Sequence, residues 1–92
     1  MNSRDAQTFN NLANVYAQTG ALDDAVAHYR QALSLVPVNP EAHANLSRVL
    51  LRQGRHEVAL QHAQRALQQR PGYAEAQALV QQLTAPAPAP AK

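Results

Sequence analysis

Arg48 and Arg52 stand four residues apart. On a helix that spacing puts both guanidinium groups on one face. Two such groups favour a carboxylate or an acidic side chain, although a solvated charged face is the commoner fate of such a pair. Amides form the second group: Asn10, Asn11, Asn14, Gln18 and Asn45. A side-chain amide both donates and accepts, so it can pair with the backbone of an extended peptide whatever its sequence. It can equally cap local backbone. The other reactive types have less to offer. Cysteine is absent, which removes thiolate metal sites, disulfides and cysteine nucleophiles. The histidines are His28, His43, His56 and His62, with no HxxxH or HExxH among them. Ser34 and Ser47 lie in helical stretches without a nucleophile-elbow motif. No Gly-rich phosphate loop is present. Asp23 and Asp24 are explained by a helix start. The expectation is therefore a non-enzymatic chain with no cofactor and no metal.

The elements that position these groups come from the pattern of the whole chain. Ninety-two residues make one small domain, with a thin stability margin. Ala and Gln abound, aromatics are scarce, and most Pro falls at the end, which is a helical composition. Met1 to Gln7 is polar and reads as no signal peptide. The apolar runs are only a few residues long, so no membrane span is expected. The missing Cys fits a reducing compartment, and a cytoplasmic location is favoured. Net charge is +2, too small to argue for nucleic acid. The charge is uneven: residues 1–40 sum to −1, and residues 41–73, with five arginines, sum to +3.

A repeat of 34 residues organises the chain. Residues 40–73 superpose on 6–39 without a gap. Asn11 falls on Asn45, Leu12 on Leu46, Val15 on Val49, Gly20 on Gly54, Ala25 on Ala59, His28 on His62 and Pro37 on Pro71. Each unit reads as helix, tight turn, helix. Asp5 is expected to N-cap a first helix that runs to about Thr19. Gly20 then takes the left-handed conformation that ends it. Asp23 and Asp24 open the second helix, which stops near Leu35 before Pro37. Asn39-Pro40 supplies a cap and a first helical residue for the third, which Gly54 ends. The fourth runs from about Glu57 to Gln69. Phe9, Leu12, Ala13 and Tyr16 make one apolar stripe, and Leu22, Ala25, Val26, Tyr29, Ala32 and Leu33 make the facing one. Residues 74–84 start a third copy, apolar on one side and Gln-rich on the other, as a solenoid's closing helix is. Residues 85–92 alternate Ala and Pro, which favours an extended tail or linker.

Phe9-x-x-Leu12-Ala13-x-x-Tyr16, Ala25-x-x-x-Tyr29 and Pro37 closely resemble the tetratricopeptide signature. His43, Leu46, Ser47, Leu50, Ala59, Ala63 and Pro71 follow it more loosely, with both aromatic positions lost. The resemblance implies an all-α, right-handed helix-turn-helix solenoid. It would have two hairpins (6–39 and 40–73) and a capping helix (74–84) within a 1–84 domain. His43 and Ala63 would leave the second hairpin less tightly filled.

In such solenoids the first helix of each hairpin lines a concave face. That would gather Asn10, Asn11, Asn14, Gln18, Asn45, Arg48 and Arg52 into a peptide-binding surface, which Glu75 could join. Asn11 and Asn45 match the register of the asparagine ladder that holds peptide backbone in the similar repeats of O-GlcNAc transferase. Chaperone-adaptor members of the family hold a C-terminal carboxylate in a basic and asparagine clamp. Asn14 and Asn45 match its asparagines, whereas Asn10, Glu75 and Leu79 stand where its basic residues would be. The resemblance therefore implies a module that takes a peptide or a helix of a partner protein in this groove, but not the chaperone tail, and Arg48 and Arg52 would suit an acidic partner. His28 and His62, one repeat apart, would lie about 10 Å from each other, too far to share an ion. Tyr16, Tyr29 and Phe9 are needed for packing, which leaves no stacking platform for nucleic acid. Two alternatives accompany groove binding. One is homo-oligomerisation through an uncovered apolar edge of the first helix. The other is service as part of a longer array or multidomain protein.

Overall fold

The computed structural model describes residues 3–85; most of the expected Ala-Pro tail lies outside them. Five helices follow one another: α1 (Ser3–Gln18), α2 (Leu22–Leu35), α3 (Pro40–Arg52), α4 (His56–Gln69) and α5 (Ala74–Thr84). The described residues contain no strand. α1 pairs with α2 and α3 with α4, α2 packs on α3, and α4 packs on α5. This is the all-α solenoid expected from the repeat.

The turns follow from backbone chemistry. Gly20 and Gly54 have φ of 86° and 79°, a region closed to most side chains by the Cβ. After each, the chain closes a matching pair of bonds. Gly20 N donates to Ala17 O and Ala21 N to Tyr16 O; Gly54 N donates to Leu51 O and Arg55 N to Leu50 O. Asn39 caps α3 by accepting from Ala42 N at 3.2 Å, and Pro40 opens the helix. Gln69 ties the preceding linker to the end of α4. Its Oε1 accepts from Asn39 N at 2.8 Å, and its Nε2 donates to Pro37 O at 3.1 Å. Asp5 departs from expectation: α1 already starts at Ser3, so Asp5 sits in the first turn instead of capping it. Its charge still suits the positive helix end.

Small residues let the helices approach. Ala13, Ala25, Ala32, Ala59, Ala63 and Ala66 are fully buried. Tyr29, Leu46, Val49 and Leu50 fill the space between the hairpins. Ser47 is wholly buried, and its hydroxyl donates to Ala59 O at 2.7 Å across the α3–α4 contact. One residue of the expected inner stripe is misplaced. Leu12 is 43% exposed, as Val15 is at 54%. Their repeat equivalents Leu46 and Val49 are 0% and 2% exposed, because α2 packs on α3 and no described helix packs on the same side of α1.

Candidate functional site

α1 and α3 lie side by side, since each is the first helix of its hairpin. Between them is a cleft of about 360 Å³ whose walls include Asn14, Gln18, Asn45, Arg48 and Arg52, with Tyr29 below. A chain of polar contacts crosses it. Tyr29 Oη donates to Asn14 Oδ1. Asn45 Nδ2 donates to the same oxygen at 3.4 Å. Asn45 Oδ1 accepts from Arg48 Nη1 at 3.1 Å, and Arg48 Nη2 reaches Glu75 Oε2 on α5 at 2.6 Å. Arg52 Nη1 donates to Ala17 O at 2.9 Å, joining α3 to the last turn of α1. Burial pushes the Tyr29 phenol up from its ordinary pKa, and the nearby Arg48 charge offsets part of that. Tyr29 is thus a neutral donor that orients Asn14.

The network leaves selected groups available. Asn14 Nδ2 makes no hydrogen bond among the described residues. Arg48 and Arg52 are exposed and also border a second, more apolar cleft of about 400 Å³ between α3 and α5, with Leu51, Ala78 and Leu79. The two arginines therefore form a ridge between neighbouring clefts. Such a surface can accept backbone carbonyls at the amides and carboxylates at the ridge.

Two of the seven expected site residues fall elsewhere. Asn11 is exposed and borders neither cleft. Asn45 gains its place from the neighbouring α1, and Asn11 has no described helix beside it. Asn10 belongs to a third cleft, of about 260 Å³, against the 36–41 linker and Arg70. Its Oδ1 is buried there without a hydrogen-bond partner among the described residues. Two pairings were not legible in the sequence. Glu75 occupies Arg48 as an internal acid. His43 meets His62, with Nδ1 atoms 3.0 Å apart; the repeat register does not reveal this, because the contact joins two helices of one hairpin. No group of three or more potential metal ligands occurs among the described residues, and no helix there is long and apolar enough to cross a membrane.

The family model for the tetratricopeptide repeat matches residues 10–74. The chain belongs to the tetratricopeptide repeat family. A search of curated proteins finds no match. Solved structures agree with this tetratricopeptide fold. The first tetratricopeptide domain of Spaghetti (RPAP3), bound to the HSP90 peptide SRMEEVD, superposes with a TM-score of 0.88 at 22% identity; the match covers 90% of this chain and 66% of that one. The Sgt2 tetratricopeptide domain from Aspergillus fumigatus gives a TM-score of 0.82 at 26% identity, over 85% of this chain and 52% of that one. The Cut9-Hcn1 complex of the APC/C gives 0.86 at 23% identity, over 89% of this chain and 16% of that one. The tetratricopeptide chain thus spans about two thirds of the first of these and about half of the second. Tetratricopeptide folds are generally protein-interaction modules and not enzymes.

Proposed function

We propose that this chain holds an extended, acidic segment of a partner protein in its concave face. Repeats at 6–39 and 40–73 build the face, and the helix at 74–84 closes it. The observation that carries the reading is the convergence of Asn14, Asn45, Arg48 and Arg52 on one cleft between α1 and α3. The amides take the peptide backbone, and the arginine ridge takes a carboxylate. The first Spaghetti domain is bound to an HSP90 peptide, but here Asn10, Glu75 and Leu79 replace the basic residues of the chaperone clamp. This groove therefore prefers other acidic segments.

The test is an array of acidic peptides and their Glu→Gln counterparts, probed with the native chain and with Asn14, Asn45, Arg48 and Arg52 all changed to Ala. Helicity of both proteins is checked first. Binding of acidic peptides by the native chain alone supports the groove. Equal binding by both proteins sinks it.

A second reading rests on Leu12 and Val15. Their repeat equivalents are buried under a neighbouring helix, so the outward face of α1 suits pairing with α1 of a second copy. Sedimentation equilibrium distinguishes the cases. A dimer dispersed by L12Q/V15Q supports self-association, and a monomer at all concentrations removes it.

A further inference from the structure

The second hairpin holds a contact that the first lacks. In the first, Phe9 packs against His28 with ring centroids 6.1 Å apart. One repeat later the same two positions are His43 and His62. Their rings stack with centroids 5.2 Å apart and planes inclined by 27°. Their Nδ1 atoms approach to 3.0 Å. Two imidazole nitrogens that close share one proton: one ring donates and the other accepts. His43 is only 7% exposed and His62 is partly buried. A second proton has no acceptor between the rings and sets two cations against each other in a poorly solvated place.

We propose that the His43–His62 pair is an acid-sensitive latch between α3 and α4, closed while the two rings share a single Nδ1 proton and opened when a second proton arrives. The latch does not depend on what the groove binds. It does bear on the groove, because α3 carries Asn45, Arg48 and Arg52, and α4 supports α5 with Glu75.

The surroundings favour a neutral pair. Burial depresses the pKa of His43; a hydrogen bond to the Pro37 carbonyl works the other way, and Arg65 on α4 lowers it again. Burial is also the main cause at His62, followed by His43, by Arg30 on α2 and by Arg65, which together bring it down to about 4. The charged groups acting on the pair from the packed helices are thus cationic. An unfolded histidine titrates near 6.5. With the folded values lower, the unfolded chain binds more protons as pH falls below that point. The stabilisation is complete above about pH 6.5 and is lost progressively as pH falls toward about 4.

Thermal unfolding followed by circular dichroism at pH 7 and pH 5 tests the latch. The variant is His43→Phe, which restores the pairing of the first hairpin. The native midpoint should fall further than the variant's over this interval, because the variant removes one titrating ring and its charge beside His62 while leaving His62 buried. An equal fall in both overturns the proposal. The native chain also carries its own test, should the variant misfold. Nitrogen-detected NMR titration should show the His43 and His62 rings changing state in two coupled steps, with one well below the usual histidine range. Independent titration of both rings at ordinary values would equally overturn it.

Discussion

Arg48 on α3 donates to Glu75 on α5 at 2.6 Å, and through its other terminal nitrogen to Asn45 at 3.1 Å. Both charged partners are about half exposed, so the pair adds little to stability. In the proposed groove, Glu75 would compete with an acidic ligand for the Arg48 guanidinium.

Replacing that internal competitor should sharpen binding. Glu75→Gln is expected to raise affinity for acidic peptides several-fold and leave stability within about 0.5 kcal/mol of native. Fluorescence anisotropy with a labelled acidic peptide, alongside a urea melt, checks both. Unchanged affinity would mean that Arg48 is not part of the peptide site.

Ser47 lies in the contact between α3 and α4, fully buried and donating to Ala59 O at 2.7 Å. Ser47→Ala should cost about 1 kcal/mol through the lost hydrogen bond. Ser47→Leu should cost about 1–3 kcal/mol, since added methylenes have no room in a filled contact. Urea denaturation midpoints rank the two. Leucine no worse than alanine would show that the interface yields easily.

The glycine turns isolate backbone strain from packing. A Cβ built on Gly20 or Gly54 meets nothing within 4 Å, yet φ is positive at both. Gly20→Ala and Gly54→Ala should each cost about 1–2 kcal/mol, the steric cost of a left-handed residue. Because the two turns repeat the same geometry, the costs should be similar; Gln53 beside the second turn donates to Asp23 beside the first at 2.7 Å, so any departure from additivity reports coupling through that contact. A double variant measured in the same melt tests additivity.

Asn39 and Gln69 together fasten the linker between the hairpins. Asn39→Ala removes the cap and should cost about 1 kcal/mol, whereas Asn39→Asp keeps an acceptor for Ala42 N and should cost less. Amide hydrogen exchange at Ala42 reports the cap directly. Equal protection in both variants would show that the side chain contributes nothing there.

The amino-acid sequence by itself determined the helices and their order. The 34-residue repeat, the two glycines and the Asn39-Pro40 start are local signals, and each acts through its own backbone. The inward alanines were legible for the same reason, since helical periodicity fixes which side they take. What only the tertiary structure decided are relations between helices. Leu12 and Leu46 are the same residue at the same repeat position, yet a neighbouring helix covers one and leaves the other exposed. Asn11 and Asn45 differ likewise, because a cleft needs two walls. Glu75 joins Arg48, and His43 joins His62, across 27 and 19 residues of chain. No periodicity records such contacts, because they depend on how far one packed helix is rotated and shifted against the next.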